Sequence, residues 1–228
     1  MLRKITICFL ATIAGLTALF AQEDESSWGV SCDIYNRYIW RGTDFGNNPS
    51  IQPGITYTAG PLTLGAWSAW QFSGQGSEND LFASYSAGPL SFTLTDYFFP
   101  TNSGSDDNFL DFDPDSGSHF IEASASGEYK GVGVYGGYFF HEPGADNASI
   151  YLNLSYGPFS LGLGNGMYTA IDNEDGTDKF DVVEFGITAS NGIYSCSWIL
   201  NPNQETTFLV VGKNFQSKLE GIRKNDEN

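Results

Sequence analysis

The sequence predicts an all-β chain closed into an antiparallel up-and-down transmembrane β-barrel of about 12 strands. Three observations predict it. Tight glycine turns recur at Ala59-Gly60-Pro61-Leu62, Ala87-Gly88-Pro89-Leu90, Tyr129-Lys130-Gly131-Val132, Tyr156-Gly157-Pro158-Phe159 and Ser190-Asn191-Gly192-Ile193, and longer, polar, mostly acidic connections alternate with them. Short turns at one end and long loops at the other is the plan of an outer-membrane barrel. Between the turns, apolar and small polar residues alternate with the period of a strand. Beyond residue 21 no apolar stretch approaches the ~18 residues of a spanning helix, so a membrane role falls to strands.

Residues 1–21 read as a secretory signal peptide. Arg3 and Lys4 form a positive start, Ile5 to Phe20 is apolar, and Ala21-Gln22 offers a cleavage point. Residues 22–215 form the expected barrel, and the polar segment 216–228 reads as a disordered tail. The strands are expected at 28–41, 50–58, 62–72, 79–87, 90–99, 118–129, 132–141, 148–156, 159–168, 180–190, 193–200 and 205–215. In the third, Leu62, Leu64, Ala66 and Trp70 oppose Thr63, Gly65 and Gln71; in the ninth, Phe159, Leu161, Leu163 and Met167 oppose Ser160, Gly162, Gly164 and Gly166. The eighth sets Ile150, Leu152, Leu154 and Tyr156 against Tyr151, Asn153 and Ser155. The polar face is built of small residues and lacks the Lys/Glu cover of a soluble sheet, which turns the apolar face toward lipid. Pro53 removes a ladder donor from the second strand and calls for a bulge or a late start there.

Aromatic residues gather at both strand ends. Tyr57, Tyr85, Tyr129, Tyr156, Phe159 and Tyr194 lie near the short turns; Trp40, Trp70, Phe72, Phe98, Phe99, Phe140, Tyr168 and Trp198 lie near the long loops. Two belts one strand apart match two membrane interfaces. The formal net charge of −17 excludes nucleic acid as a partner, because neutralising phosphates takes Lys and Arg. Loss of the leader removes two of the ten basic residues and none of the 27 acids. Cys32 and Cys196 fall on the outward face of strands that are not neighbours, too far apart for a disulfide.

Strand parity places Asp33, Tyr35, Arg37 and Arg41 on the inner face of strand one, Glu122 on that of strand six and Glu184 on that of strand ten. Ionic side chains at membrane depth must line water or pair with one another. They can therefore form a charged constriction that selects permeants, a salt-bridge network that braces the wall, or both. Gly54, Gly65, Gly133, Gly137, Gly162, Gly164, Gly166 and Gly186 also face inward, which leaves lumen space or serves strand curvature.

The run Asn36-Arg37-Tyr38-Ile39-Trp40-Arg41-Gly42, with Pro49-Ser50-Ile51-Gln52-Pro53-Gly54 and Gly65-Ala66-Trp67-Ser68 after it, resembles the opening of the TorF-type outer-membrane porins. The resemblance covers about the first 70 residues and is architectural beyond them. It implies a porin-like β-barrel in the cell outer membrane, with no cofactor. The partners expected are outer-membrane lipid, small solutes as permeants and the barrel-insertion machinery. A non-conducting structural or adhesive barrel stands beside this reading.

Two further classes, a calcium site and an enzyme, find weaker support in the residues. Asp111, Asp113 and Asp115 with Glu122 imitate calcium-loop offsets, but Pro114 and Ser116 do not suit such a loop. The cluster from Asp172 to Asp178 is likewise read as a solvated loop. An enzyme would draw on His119, His141, Glu142, Asp146, Ser118 or Ser149, yet no nucleophile motif surrounds any of them. The expectation is therefore no catalytic residue.

Overall fold

The computed structural model describes residues 26–73, 76–100, 108–115, 117–144, 148–169 and 179–220. The strands in chain order are β1 (Ser26–Tyr35), β2 (Ile39–Trp40), β3 (Thr43–Asp44), β4 (Ser50–Ala59), β5 (Leu62–Gln71), β6 (Ser77–Ala87), β7 (Leu90–Phe98), β8 (His119–Tyr129), β9 (Val132–His141), β10 (Ile150–Tyr156), β11 (Phe159–Gly164), β12 (Asp181–Asn191), β13 (Tyr194–Asn201) and β14 (Thr206–Glu220). All except β2 and β3 form one closed antiparallel barrel of sequential neighbours. Strand β1 closes it, with Cys32 opposite Pro53 of β4 on one side and Phe215 of β14 on the other. Closure removes every unpaired backbone edge. The leader at 1–21 and the acidic segment 172–178 lie outside the described residues.

The short turns have the chemistry that two-residue hairpins demand. Gly60, Gly88, Gly157 and Gly192 take φ of +55°, +61°, +57° and +61°, and Lys130-Gly131 takes +52° and +80°. Positive φ at the turn centre matches the right-handed twist of paired strands. Asn191 pairs with Tyr194, so the last turn is centred on Gly192-Ile193, one residue later than the sequence suggests.

The two faces are unlike in the direction expected. Leu94, Val134, Leu154 and Leu209 stand on the outside at 47–61 % exposure. Inside, toward the short turns, small residues meet small ones: a Cβ on Gly29, Gly133 or Gly186 would meet the hydroxyls of Thr56, Ser155 or Ser160. Toward the long loops the interior is packed instead, with Tyr97, Phe139, Tyr151, Tyr168 and Val183 forming the buried core. Several inward glycines make room for this packing. A Cβ on Gly65 would meet the Phe82 ring, on Gly137 the Glu122 carboxylate, on Gly162 the Tyr151 hydroxyl and on Gly164 the Tyr168 ring. Of the aromatics expected near the long loops, Trp70, Phe72, Phe140 and Trp198 are exposed, whereas Phe98 and Tyr168 are buried and Trp40 and Phe99 pack against the core.

Apart from shifts of one or two residues at strand ends, four features of the wall differ from expectation. Strand one stops at Tyr35, and residues 36–49 leave the wall. Pro53 needs no bulge: the register of β4 against β5 is the same at Ile51↔Trp70 and Gly54↔Trp67, and the ladder omits Gln52 and Pro53 between them. Strand β11 ends at Gly164, and Gly166–Tyr168 forms a 3₁₀ turn that carries Tyr168 inward. Strand β14 runs to Glu220, so residues 216–220 of the expected tail belong to the wall, paired with β1. Among the described residues no helix is long and apolar enough to cross a membrane.

Candidate functional site

The interior of the barrel takes its character from the segment that leaves the wall after β1. Asn36 makes the departure. Its backbone N–H donates to Val211 O at 3.1 Å, its Nδ2 donates to Leu209 O at 3.1 Å, and its Oδ1 accepts the Val211 N–H at 2.8 Å. The side chain thus satisfies the β14 groups that a further strand residue would have paired, and the main chain is released. It folds back on itself as the hairpin β2–β3, with Trp40 opposite Thr43. Arg41 and Gly42 form the turn at φ of +50° and +80°, the same primed-turn geometry as Lys130-Gly131.

Gly42 also permits the tip to touch the wall. A Cβ there would lie 1.9 Å from the Val183 carbonyl oxygen, and the Gly42 carbonyl accepts from Asn201 Nδ2 at 3.1 Å. At the other end of the hairpin, Asp44 Oδ1 accepts the N–H groups of Gly46 and Asn47 at 3.2 and 2.9 Å, and Gln71 Nε2 donates to Phe45 O.

This turn delivers Arg41 to Glu122 on the far wall. Nη1 lies 2.8 Å from Oε2 and Nη2 3.0 Å from Oε1, a two-pronged pair with Glu122 1 % exposed. Bidentate guanidinium–carboxylate pairing is the strong form of such contacts. Tyr135 donates to Glu122 Oε1, Tyr97 donates to Oε2 at 3.4 Å, and Arg41 Nη1 donates to the Tyr168 hydroxyl. The guanidinium carbon sits 4.3 Å from the Trp40 ring centre and 4.7 Å from that of Tyr151. Burial pushes the Tyr168 hydroxyl well above its ordinary range, so it stays a neutral partner to Arg41.

The other interior residues singled out from sequence occupy separate places. Asp33 Oδ1 accepts the Phe215 N–H at 3.3 Å, and the Tyr35 hydroxyl accepts from Asn214 at 2.7 Å. Arg37 is not on the wall: its Nε lies 3.4 Å from Asp44 Oδ2, and its guanidinium lies over Phe208. Glu184 accepts from Ser160 Oγ at 3.0 Å and from the Tyr151 hydroxyl at 3.3 Å. Of the six inward residues singled out from sequence, only Arg41 and Glu122 pair with each other. Asp111 and Asp113 accept the N–H two residues on, in successive Asx turns through Asp115. Among the described residues no group of three or more His, Cys, Asp or Glu side chains is placed to hold a metal.

Both ring nitrogens of His119 are engaged, with Asp96 Oδ1 at 2.8 Å and Phe109 O at 2.9 Å, and Phe112 stacks on its face. Ser149 Oγ donates to Glu142 Oε1 at 2.8 Å and accepts the Met167 N–H at 2.9 Å.

Sequence reasoning missed two interior acids. Glu78 and Asp80 of β6 are 3 % and 7 % exposed, and both Glu78 carboxylate oxygens and Asp80 Oδ1 lack a well-formed hydrogen bond, with the Tyr38 hydroxyl facing Glu78. Asp80 shares inward parity with Phe82, a signal that was present, whereas Glu78 lies one residue outside the expected strand. Compared with family models and with curated proteins, the chain matches none.

Proposed function

We propose that this chain is a porin-like outer-membrane barrel of the TorF type, through which small solutes diffuse passively past a constriction set by the inward hairpin. One observation carries the reading: the polarity of the wall is inverted relative to a soluble barrel. Leu81, Leu94, Leu152, Leu154 and Leu209 are exposed around the outside, while Ser, Thr, Gly and ionic residues face in. A soluble monomer rarely exposes a contiguous apolar band of this kind, but hydrocarbon demands one. In this reading the short turns and the start of β1 face the periplasm, and the long acidic loops face outward. The barrel transports and does not catalyse. Its partners are outer-membrane lipid, the permeating solutes and the machinery that inserts barrels.

Discrete conductance in planar bilayers tests the reading. The wild-type chain is expected to conduct, and Arg41→Ala to raise conductance and lower anion preference as the hairpin loses its anchor and the lumen loses a cation. Bilayers closed at every voltage for both proteins favour the second reading, a non-conducting structural or adhesive barrel. That reading has its own support in the interior glycines filled by rings and in the buried Arg41–Glu122 pair, which packs the loop-side half of the lumen.

A further inference from the structure

Between the hairpin and the walls of β4–β7, β13 and β14 lies a cavity of about 520 Å³. Glu78 and Asp80 line it from one strand face, two residues apart, and Tyr38, Trp40, Trp67 and Tyr97 supply aromatic walls. The rings are close-set, with Tyr38 and Trp67 centres 5.8 Å apart and Trp40 and Tyr97 centres 5.4 Å apart. Glu78 also lines a second cavity of about 260 Å³ beside Phe45, Gln71 and Phe99.

The two carboxylates are the unexplained element. Three of their four oxygens are buried without a well-formed hydrogen bond, and the acids face only each other and the Tyr38 hydroxyl at close range. The two arginines of the hairpin segment are already committed, Arg41 to Glu122 and Arg37 to Asp44. The Tyr38 hydroxyl faces Glu78, but no cationic side chain is ion-paired with either acid, and a buried carboxylate without a counter-charge is costly, so the pair is set for a cation from outside the chain. A hard metal ion wants about six to eight oxygens, more than these two side chains supply. Carboxylates ringed by aromatic faces suit an organic cation, whose charge the acids neutralise while the rings cover its carbon frame. A volume of this order is that of a small-molecule site.

We propose that Glu78 and Asp80, with the faces of Tyr38, Trp40, Trp67 and Tyr97, form a binding site for a small organic cation bearing a primary ammonium group. The site goes beyond the porin reading and needs no conduction, since a closed barrel with a loop-side entrance would also fill it.

The test is titration calorimetry on the full chain, refolded in zwitterionic detergent, with benzylammonium chloride, its neutral isostere benzyl alcohol, and calcium chloride. Benzylammonium is expected to bind with a dissociation constant of about 0.1–1 mM, in keeping with a ligand of so few atoms. Glu78→Gln and Asp80→Asn are each expected to weaken it about tenfold, as loss of one partner of a desolvated charge pair does, and the double variant to abolish it. Glu128→Gln at the short-turn rim is the control and leaves binding unchanged. Equal binding of benzyl alcohol overturns the proposal, as does unchanged affinity in the double variant, displacement by calcium, or no heat with benzylammonium. The alcohol comparison uses wild-type protein alone and stands even if a variant fails to fold. Conductance is measured separately, so a silent bilayer with intact binding counts against the porin reading alone.

Discussion

Removing the guanidinium of Arg41 is the perturbation with the largest consequence inside the barrel. Arg41→Met leaves Glu122, 1 % exposed, with only the hydroxyls of Tyr135 and Tyr97 as donors. Two charge-assisted hydrogen bonds, at 2.8 and 3.0 Å, disappear. At about 1.5–3 kcal/mol each in isolation they set an upper range, and breaking a buried pair from one side costs about 3–5 kcal/mol. The hairpin can also undock while the wall stays closed, so the measured loss cannot exceed the free energy that holds the hairpin in place. The double variant Arg41→Met/Glu122→Met exchanges the pair for apolar volume and is expected to be nearly as stable as wild type, within about 2 kcal/mol. Urea unfolding in lipid vesicles, followed by tryptophan fluorescence, gives the four corners of the cycle. Hydrogen exchange at residues 38–45 reports undocking directly. A coupling energy below about 0.5 kcal/mol, the level seen between independent sites, refutes the assignment of Arg41–Glu122 as the anchor.

Three further outcomes follow from the geometry. Gly42→Ala places a methyl 1.9 Å from the Val183 oxygen in a left-handed turn, whereas Gly60→Ala, at φ +55° with nothing within 4 Å, bears conformational strain alone. The first is expected to destabilise by more than 2 kcal/mol and the second by about 1 kcal/mol, and equal unfolding midpoints refute the wall contact. On the outer face, Leu94→Arg is expected to lose about 2–4 kcal/mol in vesicles if the residue meets the bilayer midplane, and no loss argues against a lipid-facing wall. Cys196 is exposed and free. In vesicles it is expected to resist a charged, membrane-impermeant maleimide and to react with a lipid-soluble one, and labelling by the charged reagent would place it in water.

The wall could be read from local sequence. Period-two alternation and positive-φ turn residues are local properties, carried by a few consecutive side chains, and they specify strands, hairpins and which face looks out. The outward set Leu152, Leu154 and Tyr156 and the inward set Tyr151, Asn153 and Ser155 were legible for that reason, as was the inward aim of Glu122 and Glu184. The contents of the lumen come from contacts between segments far apart in the chain. Residues 36–41 alternate well enough to extend strand one, and only Asn36 clamped to β14 and the Arg41-Gly42 turn seated on Val183 send them inward. The partners of Arg41 stand 81 residues away at Glu122, 94 at Tyr135 and 127 at Tyr168. No local pattern encodes such contacts, because they arise only when the barrel closes and brings opposite walls within a side chain's reach. The same closure turns inward glycines from apparent openings into seats for Phe82, Tyr151 and Tyr168, and encloses Glu78 and Asp80 among rings drawn from distant strands.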